Sequence, residues 1–411
     1  MVIEIKNQFF RPSLRRRWLF GLLYLSQGAP MGFIWWALPS LLSIQGVDLA
    51  TITKLSATLT LPWVFKFLMG PVIDFAAFRK IKIRHFIVSC QIMMGILLLL
   101  LIPIDWIDDF QLLVIFLFIH GCFAATQDVS IDALAIRTTP KQELGQINGW
   151  MQTGMLIGRA LTASIVLAII GKGYQTIGIL LVITMIWLPM VALLFSSPSE
   201  NQSEDLSHKK TTKLHWKNFI TPTILIGLWL ALTASAGFEF FSVSVGPFMQ
   251  KLGNTEENLS LLFGVIAPIG LVIGALTGGR FTTKKNSKTA ILIGITLVAA
   301  TVSLIALLAL SNINLRPKEW LLLSIPIYIA IGFLTCASYT LFMELSNGKF
   351  AATRFSIFMS ATNGCEVWVT YLGSRLISQM GHPMTMLLLL PISLLALPAL
   401  LLLNRKETKK N

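Results

Sequence analysis

Six ionisable side chains of this 411-residue sequence lie inside long apolar stretches, where they could bind a charged solute or a proton. Two are cations and four are carboxylates: Lys66, Arg159, Asp128, Asp132, Glu239 and Glu366. Inserting a charged side chain into lipid costs roughly 2.5–3.5 kcal/mol, so each of them needs a partner or a function. An ammonium or guanidinium group can hold an anion, and a buried carboxylate can gain and lose a proton.

Lys66 has two interpretations. It stands about 8 residues before the predicted cytoplasmic end of its apolar run, roughly 12 Å along a helix, which is too deep for its stem to reach water. Its ammonium group can contact an anionic substrate, or it can form a structural ion pair with Asp128 or Asp132. Asp132 can alternatively pair with Arg137 or Lys141 near the surface. Both interpretations of Lys66 remain open from the sequence.

Other polar residues extend this predicted site. Asp128 and Asp132 share one face of a helix because they are four residues apart, and Gln127 lies on an adjoining face. Gln152 and Arg159 share a face of the next apolar run, where a guanidinium group suits bidentate binding of carboxylate or phosphate. The predicted substrate-binding residues are Lys66, Arg159, Asp128, Gln127, Gln152 and Gln27.

Two acids in the second half of the sequence are candidates for proton coupling. Glu239 and Glu366 have no basic neighbour in their own apolar runs, and a carboxylate that titrates in a low-dielectric site is what proton coupling requires. A membrane enzyme, for instance an acyl transferase, would instead use His120 with Asp128. The sequence has no long catalytic loop and no nucleophile–base spacing, so we predict no catalytic residues.

The composition excludes an ordinary soluble domain. Hydrophobic residues make up 55% of the chain and charged residues 13%, and the mean hydropathy is +0.73. These values are typical of a polytopic membrane protein in a lipid bilayer. The net charge of +14 comes from Lys and Arg clusters between apolar runs, a pattern of orientation signals rather than of nucleic-acid binding. The four cysteines have no metal-ligand spacing, and we expect no metal and no cofactor.

The chain contains twelve apolar runs of about the length that crosses a bilayer as a helix. An even number places both termini on one side, and the excess of Lys and Arg in the loops on that side makes it cytoplasmic. We therefore expect a multi-pass protein of the bacterial inner membrane. The predicted spans are 18–44, 51–75, 84–104, 110–136, 142–170, 174–196, 219–247, 257–281, 288–311, 319–345, 352–378 and 383–404.

The two halves of the sequence resemble each other, as expected for an internal repeat. The polar segment 196–218 separates a half at 1–195 from a half at 219–411, and we interpret it as a cytoplasmic linker. The stretch from Gly70 to Lys80 aligns with the stretch from Gly274 to Lys284 at a nearly constant offset. Two six-helix halves in parallel repeat are typical of major facilitator transporters.

The loop after the second span carries a closer resemblance. Gly70 and Asp74, followed by Arg79 and Lys80, resemble the loop signature of the major facilitator superfamily, although Phe75 replaces the usual Arg. In the second half Gly278 stands at the aspartate position. The resemblance implies an all-α membrane protein with twelve transmembrane helices in two pseudo-symmetric six-helix halves. It also implies a conformational latch, in which Asp74 pairs with cations and a helix N-terminus.

Further segments resemble one branch of that superfamily, which holds AmpG-like muropeptide permeases, acetyl-CoA transporters and RhtX/FptX-type siderophore importers. The segments are 24–30, 37–39, 61–67 and 125–132. Ala37-Leu38-Pro39 and Leu61-Pro62-Trp63 are closer to the siderophore importers.

The resulting hypothesis is a secondary active transporter, expected to be a monomer. It would use protons to import a polar anionic small molecule, with a siderophore favoured. The alternatives are a muropeptide permease, an acyl-CoA or drug transporter, and a non-transporting sensor.

Overall fold

Helices account for the regular structure of the described chain. A computed structural model describes residues 12–195, 221–311 and 313–408. Within these ranges nine helical stretches are long and apolar enough to span a bilayer. The first helix, the shorter helix Ile83–Leu99 and a break inside the last stretch complete the predicted twelve. The predicted linker at 196–218 lies outside the described residues.

The helices follow the predicted spans closely. Large apolar side chains such as Leu188, Val367 and Leu401 are more than 60% exposed, which fits contact with lipid rather than water. The helices are α1 (12–44), α2 (Leu49–Phe78), α3 (Ile83–Leu99), α4 (Phe110–Thr138), α5 (Lys141–Gly171), α6 (Gln175–Phe195), α7 (Pro222–Lys251), α8 (Glu256–Lys284), α9 (Ser287–Leu310), α10 (Pro317–Ser346), α11 (351–380) and α12 (382–408).

Helix α3 ends earlier than the predicted span 84–104. Its last helical residue is Leu99, and turns follow to Asp105. Pro103 cannot donate the backbone hydrogen bond that would continue a helix. The Asp105 carboxylate instead accepts hydrogen bonds from the backbone N–H groups of Ile107 and Asp108. These two bonds lower the pKa of Asp105, which lies outside the membrane-spanning segments.

The helices form two compact units, and each unit takes a short segment from the other half of the sequence. Among the described residues, the first unit consists of 12–143, 150–195 and 347–356, and the second of 144–149, 221–311, 313–346 and 357–408. The first unit therefore contains the start of α11, and the second contains the start of α5. The predicted division of the sequence at 196–218 stays a prediction.

Glycines permit the close helix packing inside each unit. In the first unit, a Cβ atom at Gly154 would lie 1.9 Å from the Gly21 carbonyl oxygen of α1. In the second unit, a Cβ atom at Gly149 would lie 2.8 Å from the Ala275 carbonyl oxygen of α8. The small-residue pairs of α5 therefore allow backbone contact with two different helices.

The break between α11 and α12 depends on one glycine. Gly381 has φ 75° and ψ 174°, a conformation that is essentially restricted to glycine. No heavy atom lies within 4 Å of the position of an added Cβ atom, so only the backbone geometry demands glycine here.

We expect Gly381→Ala to destabilise the protein by about 1–3 kcal/mol, because alanine rarely adopts this backbone conformation. Gly171→Ala is the matched control, since Gly171 also has open space around it but no positive φ. Thermal unfolding in detergent should show a lower melting temperature for Gly381→Ala alone. Equal melting temperatures for the two variants would show that the backbone conformation of Gly381 does not require glycine.

Candidate functional site

The first unit contains a buried ion pair between α2 and α4. The Lys66 Nζ atom lies 2.9 Å from Asp128 Oδ2, and both side chains are less than 10% exposed. Pro71 explains the local geometry, because it cannot donate to the Phe67 carbonyl group. Lys66 to Leu68 consequently form a tighter 3₁₀ turn, which interrupts α2 and buries the lysine. Of the two predicted carboxylate partners, the structure pairs Lys66 with Asp128.

Asp132 lies one turn further along α4. Its Oδ1 atom accepts a hydrogen bond from the Tyr24 hydroxyl group of α1, and both residues are buried. In the described ranges, Asp132 forms no ion pair with Arg137 or Lys141, the two surface partners considered from the sequence. Arg137 binds Asp74 instead. Tyr24 was not among the predicted site residues. Its hydroxyl group, a polar group within an apolar run, could have indicated a buried hydrogen-bond partner.

A group of amides lies beside these charges. Gln27 Nε2 donates to the Ala124 carbonyl group at 3.0 Å, and Gln127 Nε2 donates to Ser26 Oγ at 2.9 Å. Gln91 of α3 also donates to Ser26 Oγ, at 3.0 Å. In the part of the chain that the structure describes, no donor reaches the Oε1 atoms of these three glutamines. Ser26 and Gln91 were missed by the sequence analysis.

Arg159 and Gln152 occupy α5. Gln152 is 6% exposed and Arg159 is half-buried. A Cβ atom at Gly32 of α1 would lie 2.2 Å from the Arg159 carbonyl oxygen, so glycine permits the close approach of the two backbones. The Arg159 Nη2 atom lies 3.6 Å from the Met31 sulfur. Of the six predicted substrate-binding residues, four therefore lie on α4 or contact it. The other two, Gln152 and Arg159, lie on α5.

The two predicted proton-coupling residues lie close together in the second unit. Glu239 of α7 lines a cavity of about 90 Å³ together with Phe238, Tyr339 and Phe342. Glu366 of α11 lies near enough to act electrostatically on Glu239. Glu239 is half-buried and Glu366 is exposed on the surface of the unit. The low-dielectric surroundings expected of Glu366 stay a prediction.

Asp74 joins the end of α2 to the start of α11 within the first unit. Its Oδ2 atom accepts hydrogen bonds from the Thr353 backbone N–H at 2.9 Å and from the Thr353 hydroxyl group at 2.7 Å. Its Oδ1 atom accepts from the Ala352 backbone N–H at 3.2 Å and from Arg137 Nη2 at 2.7 Å. The carboxylate therefore caps a helix N-terminus, where unpaired N–H groups favour negative charge.

Other residues of the predicted latch have separate environments. Gly70 allows the two helices to meet, because a Cβ atom there would lie 2.5 Å from the Thr353 Cα atom. Arg79 lies over the Phe75 ring at 5.2 Å, and Lys80 ends the helix with φ 61°. Within the described ranges neither cation contacts Asp74. The cation of the cap is Arg137, which lies on α4 about two and a half turns after Asp128.

Comparison with known proteins identifies the family. Residues 20–365 match the profile described as Major Facilitator Superfamily, which is most of the chain. The chain belongs to the Major Facilitator Superfamily. It is therefore a multi-pass membrane transporter and not an enzyme.

Relatives of this major facilitator cover nearly its whole length. It is 25% identical to "Putative transporter AmpG 1" of Rickettsia prowazekii, over 96% of this chain and 98% of the relative. It is 27% identical to "Putative transporter AmpG 1" of Rickettsia bellii, over 85% of this chain and 87% of the relative.

Solved structures share the fold of this major facilitator. The proton:xylose symporter XylE, bound to 6-bromo-6-deoxy-D-glucose, has a TM-score of 0.69 at 13% identity. That similarity covers 96% of this chain and 94% of XylE. The fucose:proton symporter FucP of E. coli has a TM-score of 0.67 at 12% identity, over 95% of this chain and 98% of FucP. These similarities confirm the predicted major facilitator fold.

The Asp74 cap allows a direct test. We expect Asp74→Asn to lower the free energy of unfolding by about 3 kcal/mol, because it leaves Arg137 without its buried anion. A double-mutant cycle with Arg137→Gln should give a coupling energy of about 0.5–3 kcal/mol.

Asp48→Asn is the matched control for this test. Asp48 caps the exposed start of α2 by accepting a hydrogen bond from the Thr51 backbone N–H at 2.9 Å, and asparagine caps helices equally well. Chemical unfolding in mixed micelles would measure all the variants. An Asp74→Asn effect no larger than that of Asp48→Asn would show that the charge of Asp74 is unimportant.

Proposed function

We propose that this major facilitator imports a polar anionic solute across the bacterial inner membrane, and that protons entering with the solute drive the import. It would act as a monomer with both termini in the cytoplasm. The observation that carries the proposal is a pair of neighbouring carboxylates in the second unit: Glu239 lines a cavity, and Glu366 lies near enough to act on it electrostatically. Carboxylates within membrane helices are typical proton carriers in transporters.

Two cations support an anionic substrate. Lys66 and Arg159 both lie within membrane helices of the first unit, and either could bind an acidic group. Lys66 would have to exchange its present partner, Asp128, for the substrate. Gln27, Gln127 and Gln152 would then supply hydrogen bonds to uncharged polar groups of the solute. We assign these residues to substrate binding on that basis.

The Asp74 cap would serve as a latch for one state of the transport cycle. The start of α11 belongs to the first unit, whereas the rest of α11 belongs to the second. Loss of the cap would free the α11 N-terminus and leave its N–H groups without the Asp74 carboxylate. Gly70 supports this role because it permits the backbone contact, and Arg79 and Lys80 form the exposed basic end of the segment.

For the substrate class, we place a muropeptide first. Full-length similarity to transporters named AmpG supports this choice over the siderophore. The siderophore remains the second candidate, because Ala37-Leu38-Pro39 and Leu61-Pro62-Trp63 are closer to the siderophore importers.

Proton coupling can be tested in sealed proteoliposomes. We expect Glu239→Gln and Glu366→Gln to abolish uptake of a muropeptide driven by an inward proton gradient, because glutamine cannot exchange a proton. The control is Glu256→Gln, at an exposed position in the first turn of α8, which should leave uptake unchanged. Full gradient-driven uptake by both test variants would remove the two acids from the coupling mechanism.

A strain that lacks this protein separates the two substrate classes. Impaired recycling of cell-wall fragments with normal growth under iron restriction is the expected phenotype. The reverse phenotype would favour the siderophore. Counterflow of a labelled muropeptide across sealed vesicles would further distinguish a transporter from a non-transporting sensor, which binds the ligand without moving it.

A further inference from the structure

A buried cluster in the first unit contains two carboxyl groups but only one ammonium group. It consists of Lys66 of α2, Asp128 and Asp132 of α4, and Tyr24 of α1. Their exposed fractions are 4%, 7%, 2% and 5%. The Lys66 ammonium group lies 2.9 Å from Asp128, and the Tyr24 hydroxyl group donates to Asp132. The cluster is therefore sealed from solvent in this conformation.

Charge balance limits the protonation of these residues. If both carboxylates were ionised, the single lysine would leave one net negative charge buried between helices. The carboxylates lie one helical turn apart, so their mutual repulsion adds to the cost of removing that charge from water. The tyrosine hydroxyl group is a neutral donor and does not change the charge count. If one of the two carboxylates binds a proton, the cluster is neutral.

The surroundings indicate which carboxylate holds the proton. The groups that act on Asp132 are Asp128 on its own helix, Lys66 of α2 and Tyr24 of α1. The nearest other cation on α4, Arg137, is paired with Asp74 at 2.7 Å. Asp128 forms an ion pair with the ammonium group at 2.9 Å. Asp132 is more deeply buried and receives a hydrogen bond from an uncharged group.

We propose that this cluster is a proton-binding site of the transporter, with one proton on Asp132 while Lys66 pairs with Asp128. This site lies in the first unit and is additional to Glu239 and Glu366. If the proposed function holds, an acidic group of the substrate binds the Lys66 ammonium group in place of Asp128. Asp128 is then left without its cation. Neutrality then requires a second proton on Asp128. Each acidic group bound by Lys66 therefore brings one proton with it.

Infrared spectroscopy of the full chain in lipid vesicles at neutral pH tests the resting state without a substrate. A protonated carboxyl group has a C=O stretching band that an ionised carboxylate lacks. We expect Asp132→Asn to remove one such band relative to the wild type. Asp128→Asn should remove the same band although Asp132 is still present, because Asp132 then ionises to pair with Lys66. Lys66→Met should add one band, because both carboxylates then hold protons.

Two further variants keep this test decisive. Tyr24→Phe leaves the charge count unchanged, so it should shift the Asp132 band without removing it. Asp48→Asn, outside the cluster, should leave the carboxyl region of the spectrum unchanged. A wild-type band that persists in Asp132→Asn, with no shift in Tyr24→Phe, would mean that Asp132 is ionised and would overturn the proposal.

Binding of a purified muropeptide in weakly buffered detergent solution tests the link to the substrate. A pH indicator should report proton uptake that Lys66→Met loses. Binding without proton uptake would overturn the link while leaving the transport function standing. Absence of binding would count against the muropeptide as substrate, and the infrared result would still decide the resting protonation of the cluster.

Discussion

The Asp74 carboxylate is the interaction on which the arrangement of the first unit most depends. It binds the guanidinium group of Arg137 on α4 and two backbone N–H groups at the start of α11, so one side chain connects three helices. A carboxylate removed from water is tolerated only when its oxygens accept hydrogen bonds, and four donors supply such bonds here. The contact also requires Gly70, because any side chain there would separate α2 from α11.

The second unit achieves its corresponding contact without a charge. At the position aligned with Asp74 stands Gly278, where a Cβ atom would lie 2.8 Å from the Phe333 carbonyl oxygen. An aspartate would therefore not fit between α8 and α10. The start of α5 instead packs on α8 through Gly145 and Gly279, and Asn148 donates to the Cys336 carbonyl group at 2.9 Å. The degenerate sequence motif thus reflects backbone packing that leaves no room for a carboxylate.

The buried charges of this transporter are poorly explained by stability alone. A well-packed apolar pair commonly stabilises a protein as well as an ion pair does, because burying both charges costs desolvation energy. A pair such as Lys66 and Asp128 has another property, since a proton or an anion can exchange with either partner. Gln91 and Gln127 both donate to Ser26 nearby and add further polar atoms to this region. Such interactions suit a protein that must change conformation.

The sequence by itself determined the class of protein and the number of spans, and it singled out Gly70 and Asp74, whose contacts with α11 the structure shows. Those features follow from the length of apolar runs, from Lys and Arg asymmetry and from local spacing, none of which requires knowledge of neighbouring helices. Only the tertiary structure decided the partners of Lys66 and Arg137, because periodicity fixes the face of a helix but not the depth and angle at which another helix meets it. The exchange of the α5 and α11 starts between the units also depended on contacts between residues distant in sequence.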